Sequence, residues 1–203
     1  MLSPFIESII KIQGIMKKLF FSIIITVIGL TVLHAQDITV GAKAGVNLAT
    51  LHPDKNDPAT RSSFHLGMMV EIPLIDALRL QPELLYSAQG VRDESDDDEV
   101  IKLDYLALPV MAKYYLWDAL SMEAGPQFGI LLSAKRKDDG DTEDYKDSTK
   151  STDIGLALGA KYRLVNKFNI GMRYYWGTNV NKNEDSRTQV KNRVFQISVG
   201  YFF

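Results

Sequence analysis

The chain has 203 residues, with 23 basic and 25 acidic side chains, so its formal net charge is −2 at pH 7. This balance gives no support for nucleic-acid binding, which usually needs a strongly basic surface. The absence of cysteine excludes disulfides, a thiol nucleophile and thiolate metal sites. The length fits one domain of ordinary size.

The N-terminal segment has the pattern of a cleavable signal peptide. Two lysines at 17–18 precede an apolar stretch at 19–33, and Ala35 then offers a small residue for cleavage. The alternative is a single membrane helix, but this stretch is shorter than the roughly 20 residues that a span needs. The predicted division is a signal peptide over residues 1–35, with Met16 as the better start, and one domain over residues 36–203.

After Gln36, apolar and polar residues alternate in eight separate stretches, the pattern of strands with one apolar and one polar face. The last is the clearest, because residues 195–203 carry apolar side chains at every odd position and end on an aromatic residue. A soluble edge strand of this kind would expose unpaired backbone groups beside an apolar face, which favours aggregation, whereas a membrane strand turns its apolar face to lipid. The predicted strands lie at 38–48, 64–72, 78–87, 106–114, 120–130, 154–162, 168–177 and 195–203.

The links between these strands alternate strictly between tight and long. In an up-and-down barrel this puts all tight turns at one rim and all long loops at the other, as in bacterial outer-membrane barrels. The sequence therefore predicts an all-β fold: an eight-stranded antiparallel up-and-down transmembrane β-barrel in a Gram-negative outer membrane, preceded by the signal peptide. The tight links are at 75–77, 117–119 and 165–167, and the long, charged links are at 50–61, 92–99, 135–151 and 181–191.

Aromatic residues gather near both ends of the predicted strands, as expected for girdles at the two lipid–water interfaces. The alternative is a soluble barrel or sandwich, which would bury the apolar face and expose the charged one. One predicted girdle, at the tight turns, contains Tyr114, Tyr115, Trp117, Tyr162, Phe168 and Tyr201–Phe203; the other contains Phe64, Tyr86, Trp176 and Phe195.

The predicted inward face carries both signs of charge. Eight strands enclose an interior that side chains can just fill, and unpaired buried charges are costly, so we expect an ionic network that plugs the lumen. Its members would be Glu71, Glu83 and Glu123 with Lys43, Arg79, Lys113, Lys161, Arg163 and Arg173. The alternative is a narrow porin-like transporter of small solutes, with space beside inward glycines at 41, 45, 125, 129, 155, 159, 171 and 177.

Three prolines, Pro82, Pro109 and Pro126, lie inside predicted strands although proline offers no amide to the ladder. We expect them at bulges, or at positions whose amide would not pair.

No pattern marks a catalytic centre. A hydrolase could use His52 or His65, but no Gly-x-Ser-x-Gly elbow marks a nucleophile. Acidic runs at 93–99 and 138–144 lack the ligand order of an EF-hand; the alternative to solvated loops is weak calcium binding, or bridging to lipopolysaccharide through divalent cations. We expect no enzyme activity, no cofactor, and no catalytic, cofactor-binding or metal-ligating residues.

Six stretches, which cover nearly the whole predicted domain in order, carry a resemblance to a known family: Gly41–Asn47, Leu80–Gly90, Leu103–Pro109, Glu123–Gly129, Arg173–Gly177 and Asn192–Ile197. In these stretches the chain resembles the Bacteroidetes outer-membrane β-barrel domain family, often called the PorT family. This resemblance implies an outer-membrane location and insertion by the barrel-assembly machinery, which reads the terminal strand with its final aromatic residue. One branch of the family assists a secretion system, but the resemblance implies no activity.

The expected function is that of a small outer-membrane β-barrel with a filled lumen, acting as a structural or interaction protein through long extracellular loops. The alternatives are the porin-like transporter and an accessory component of outer-membrane protein secretion. The expected partners are outer-membrane lipid, the barrel-assembly machinery during insertion, and a secretion-system or cell-surface partner; nucleic acid is not among them.

Overall fold

The computed structural model describes residues 38–53, 59–92, 100–138, 141–144, 146, 149–165, 167–179 and 190–203. The predicted signal peptide lies outside these residues. Among the residues described, no helix is both long and apolar enough to cross a membrane. The strands are β1 (Thr39–Pro53), β2 (Ala59–Ile75), β3 (Leu78–Arg92), β4 (Val100–Tyr115), β5 (Leu120–Asp138), β6 (Asp141–Asp144), β7 (Thr152–Val165), β8 (Phe168–Asn179) and β9 (Val190–Phe202).

Eight of these strands form a closed antiparallel ring, which confirms the predicted barrel. Each pairs with its neighbour along the chain, with β5 followed directly by β7 in the ring. The ring closes where β1 pairs with β9, from Gly41 opposite Phe202 to Pro53 opposite Val190. We call the end with the tight turns, such as Ile75–Leu78, the turn rim, and the end near Pro53 and Val190 the loop rim.

The strands continue further toward the loop rim than the sequence predicted. The expected loop at 135–151 was wrong over 135–138 and 141–144, because there β5 and β6 form a hairpin. Lys135 lies opposite Asp144, and Arg136 lies opposite Glu143. Opposite charges directly across a ladder stabilise it, so a charged segment can remain in a strand.

The two faces of the sheet point as the membrane prediction requires. Leu66, Leu158 and Val199 are about half exposed on the outside of the barrel, whereas Lys43 and Arg173 are at most 4% exposed inside it. A soluble barrel would have the reverse arrangement, so that alternative is wrong.

Most of the predicted girdle residues face outward, and neighbouring rings touch: Phe168 and Tyr201 have centroids 4.7 Å apart, and Phe64 and Tyr86 5.7 Å apart. Two assignments were wrong, because Tyr115 is half-buried and Phe202 is only 8% exposed. Each alternates with an exposed aromatic neighbour, so the period of two turns it into the lumen.

The three strand prolines do not create bulges. The ladder of β2 with β3 is interrupted between Met69–Glu83 and Ile72–Leu80, where Pro82 lies, yet the register is the same on both sides. The ladder of β3 with β4 is likewise interrupted at Pro109, and the ladder of β4 with β5 is interrupted at Pro126. In both ladders the register is the same on either side of the proline. The second of the two expectations is therefore confirmed: each proline lies where pairing with one neighbouring strand is skipped, while pairing with the other neighbour continues.

Gly90 supplies a first test of the fold. Its φ of +131° is one that residues with a side chain rarely adopt, and an ideal Cβ would lie 2.0 Å from the Ile101 carbonyl oxygen. We expect Gly90→Ala to lower the free energy of unfolding by roughly 1–3 kcal/mol, measured by urea unfolding with tryptophan fluorescence. Gly129→Ala is the control, because the nearest atoms to its Cβ would be the Tyr105 ring edge at 3.3 Å and Asp153 at 3.6 Å. An equal loss of stability in both variants would contradict the special role of the Gly90 backbone.

Two leucines of similar exposure on β7 can test whether the outer apolar face of the barrel meets the bilayer. Leu158 is 47% exposed and lies in the middle of the outer apolar face, whereas Leu164 is 53% exposed and lies at the turn rim. Because arginine costs most at the bilayer midplane, we expect Leu158→Arg to destabilise the barrel in vesicles by roughly 2–4 kcal/mol and Leu164→Arg by about 0–1 kcal/mol. Equal effects of the two variants on urea unfolding would mean that the surface meets water.

Candidate functional site in the lumen

Five charged side chains meet in the middle of the barrel, and each comes from a different strand. They are Lys43 on β1, Glu83 on β3, Glu123 on β5, Lys161 on β7 and Arg173 on β8, and none is more than 4% exposed. Strand alternation places each of them on the inner face. We call this group the central cluster; the sequence predicted all five members.

Arg173 is the hub of the central cluster. Its Nη1 and Nη2 donate to the two carboxylate oxygens of Glu83 at 2.9 and 2.7 Å, and its Nε donates to Glu123 Oε1 at 2.8 Å. The planar fork of an arginine suits two-pronged bonding to a carboxylate, and charge-assisted bonds of this kind are strong. A single guanidinium therefore ties β8 to β3 and β5 across the lumen.

Two lysines complete the charge pairing. Lys43 Nζ lies 3.2 Å from Glu83 Oε2, and Lys161 Nζ lies 3.4 Å from Glu83 Oε1 and 3.1 Å from Glu123 Oε2. Gln81 adds a hydrogen bond from its amide to Glu83 Oε1. Three bases surround two carboxylates, so every acidic group of the cluster has several cationic neighbours.

A second ionic group lies nearer the turn rim. Glu71 pairs with Lys113, 2.5 Å away, and accepts a hydrogen bond from the Tyr115 hydroxyl at 3.0 Å. Arg163 joins this group through Tyr115, donating from Nη2 to the hydroxyl oxygen at 2.7 Å. The Phe202 ring lies 5.7 Å from Lys113 Nζ and covers it. The remaining predicted member, Arg79, is 3.9 Å from Glu71.

Sequence reasoning assigned Tyr115 and Phe202 to the lipid girdle and so missed their place in this group. The sequence did contain a signal for this placement. Each of the two residues is next to an outward-facing aromatic residue, so strand alternation turns its own side chain inward.

Neutral polar side chains lie on the loop-rim side of the central cluster. His65 Nδ1 lies 2.8 Å from Asn47 Oδ1, which also accepts a hydrogen bond from the Gln196 amide at 3.0 Å. Because Asn47 Oδ1 can only accept, this geometry requires the His65 proton on Nδ1. His65 is therefore held in a fixed polar setting, as its predicted inward position implied.

A buried carboxylate that the sequence did not predict lies further toward the loop rim. Asp153 accepts hydrogen bonds from the Thr178 amide at 3.1 Å and from the Asn192 side-chain amide at 2.8 Å. Asn192 also donates to Gln89 Oε1 at 2.6 Å. Asp153 stands just outside the predicted strand 154–162, and only the longer observed β7 brings it into the lumen.

The other candidate residues named from the sequence lie in different parts of the described structure. His52 lies in β1 opposite Lys191, near the loop rim, whereas His65 lies opposite Gly45, further from that rim. No group of three or more His, Asp or Glu side chains that could hold a metal occurs among the described residues. The acidic run 93–99 lies outside those residues, and positions 141–144 of the other run form β6 opposite the basic end of β5.

From the central cluster we expect two arginines to contribute very differently to the free energy of unfolding. Arg173→Met leaves Glu83 and Glu123 buried without their main partner, so we expect it to lower the free energy of unfolding by roughly 3–5 kcal/mol. Arg163→Met is the matched control, because Arg163 is half-buried and its side chain hydrogen-bonds the Tyr115 hydroxyl; its loss should cost about 1 kcal/mol. Urea unfolding in the same detergent measures both, and similar losses would refute the hub role of Arg173.

Comparisons with known proteins agree with this architecture. The family described as outer membrane protein beta-barrel domain matches residues 34–200. Among solved structures, Neisserial surface protein A (NspA) is similar with a TM-score of 0.54 and 14% identity, over 81% of this chain and 97% of that one. Ail, the attachment invasion locus protein of Yersinia pestis, has a TM-score of 0.52 and 15% identity, over 81% and 98%.

No curated protein sequence matches the chain significantly. At such low identity the two structures show a common fold alone, whereas the family match spans most of the chain. The chain therefore belongs to the outer membrane protein beta-barrel domain family, and it is a small eight-stranded barrel of the outer membrane.

Proposed function

We propose that this protein is a closed barrel that conducts no solutes and acts as a structural or interaction protein through its loop rim. The observation that carries this proposal is the burial of the central cluster, whose five charged side chains are almost inaccessible. A solute crossing the lumen would have to separate these paired charges, and breaking a buried pair costs several kcal/mol.

The inward glycines do not favour the porin-like alternative. An ideal Cβ would come within 3.0 Å of a neighbouring atom at seven of the eight glycines that could have left room: 41, 45, 125, 155, 159, 171 and 177. The eighth, Gly129, lies against the Tyr105 ring at 3.3 Å. These glycines therefore leave almost no free space beside them, which favours the closed lumen over the porin-like alternative.

The loop rim supplies a rigid base for contacts outside the cell. In outer-membrane barrels the long loops are extracellular and the tight turns periplasmic. Here β1 and β9 remain paired up to Pro53 and Val190, and the hairpin of β5 and β6 adds a further pair of strands. Strand ends that remain paired at this rim have little conformational freedom left to lose when a partner binds there.

We also infer that the chain is a member of the Bacteroidetes outer-membrane β-barrel domain family, often called the PorT family. Two stretches that carry the resemblance, Leu80–Gly90 and Leu103–Pro109, are adjacent in space, because Leu103 pairs with Gln89 and Ala107 pairs with Leu85. The two stretches therefore form one patch of the barrel wall, and the resemblance that they carry supports this inference. In this proposal β9, which ends in aromatic residues, is the strand that the barrel-assembly machinery reads.

The test of the closed lumen is a conductance measurement. Protein purified from outer membranes, and shown to be folded by its heat-modifiable gel mobility, is inserted into planar bilayers in molar KCl. We expect no steady openings, while a general porin treated in the same way conducts. Reproducible ion-sized openings of the wild-type protein would overturn the proposal and favour the transporter.

A further inference from the structure

The inner wall of the barrel carries more basic than acidic side chains at the turn rim. Arg79 and Lys113 are direct cross-strand partners, and both face the carboxylate of Glu71, which lies 3.9 Å from Arg79 Nε and 2.5 Å from Lys113 Nζ. Arg163 joins them through the Tyr115 hydroxyl, which also donates to Glu71. One carboxylate therefore serves three cations, and like charges directly opposite each other destabilise a sheet.

The other described charges near this rim do not remove the excess. Asp76 and Asp118 are exposed in the two tight turns, and neither forms an ion pair with a described residue. Lys167 is also exposed, with its Nζ 5.9 Å from the centroid of the outward Tyr201 ring. Deeper in the lumen, the central cluster has three bases and two carboxylates, so it supplies no spare negative charge. The inner wall at the turn rim therefore remains positive.

Hydrogen-bond donors on the same wall are left unused by the described residues. Arg163 bonds through Nη2 alone, to the Tyr115 hydroxyl, and Arg79 makes no hydrogen bond to a described residue. Asn169 lies directly opposite Arg163 in the ladder of β7 with β8, and it is only 5% exposed. Its buried Nδ2 has no acceptor among the described residues. Because a buried amide without a hydrogen bond is costly, this group favours an acceptor from outside the chain.

This end of the lumen is accessible to a small molecule. The exposed fraction of the side chain falls from 29% at Arg79 to 9% at Glu71 and 3% at Lys113, so the wall meets solvent at Arg79 and closes further in. Arg163 is half-buried, which leaves part of its guanidinium accessible as well. The turns at 76–77 and 116–119 are too short to fold over the lumen. In outer-membrane barrels this rim faces the periplasm.

We propose that Arg79, Arg163 and Asn169 bind an oxyanion, a carboxylate or a phosphate group, that reaches the turn rim from the periplasm. The planar fork of a guanidinium suits both anions, and charge-assisted hydrogen bonds of this kind are strong. The Asn169 amide adds a neutral donor beside Arg163. Lys113, covered by the Phe202 ring, contributes its charge without direct contact. This inference goes beyond the proposed function and is independent of whether the lumen conducts.

The experiment follows the side-chain amide signal of Asn169 and the Nε–H signal of Arg163 by NMR, with the folded protein in an uncharged maltoside detergent. Sodium acetate and sodium phosphate are titrated separately, with sodium chloride at the same ionic strength as the reference. We expect acetate or phosphate to shift both signals along a saturable curve and chloride to leave them in place. The R79Q/R163Q variant loses two charge-assisted donors, so it should bind the same anion at least roughly tenfold more weakly.

Lys167→Gln is the matched control, because it removes a positive charge from the same rim but on the outer side, beside Tyr201; it should leave the affinity unchanged. The R79K/R163K variant keeps both charges without the planar fork and should recover only part of the binding. Heat-modifiable gel mobility checks that every variant is folded.

The anion that saturates the site at the lower concentration identifies the bound group as carboxylate or phosphate. Undiminished binding by R79Q/R163Q would overturn the proposal. Equal shifts with chloride would also overturn it, because they would show a general effect of salt.

Discussion

A strand that crosses a bilayer must pair its backbone on both edges, because hydrocarbon offers no partner for an amide or a carbonyl. In this chain the pairing of β1 with β9 satisfies the last two edges and closes the ring. Closure then separates the two faces of every strand, since one face must meet lipid and the other must meet the opposite wall. The apolar exterior and the ionic interior are consequences of this one constraint.

The narrow interior imposes a second requirement on the inward charges. Side chains from opposite walls meet in an eight-stranded barrel, so each charged group must find its partner within the lumen. Arg173 meets this requirement for two carboxylates at once, because its fork reaches Glu83 and its Nε reaches Glu123. Lysine in its place would offer one compact charge and would not span both walls in the same way.

The strand pattern, the sidedness and the members of the central cluster could be predicted because they depend on local alternation alone. Which charges pair could not, since Arg173 and Glu83 are 90 residues apart and meet only through the stagger of the closed ring. The ends of the strands could not be predicted from the sequence either. Lys135 and Asp144 read as loop residues in the sequence, because only their cross-strand pairing reveals the hairpin.

The alternation that places charged side chains inside the barrel also explains why exposed lysines lie near the loop rim. A lysine with outward parity in the middle of β4 would face hydrocarbon and cost several kcal/mol. Beyond Leu106 the strand approaches the loop rim, where the cost of an outward cation falls, and Lys102 is exposed there. The exposed basic residues therefore lie where β4 and β5 have left the apolar layer, and Lys113, one of the buried ones, lies on the opposite face of β4. A single strand thus carries both kinds of lysine, and strand parity together with depth in the membrane decides which partner each can use.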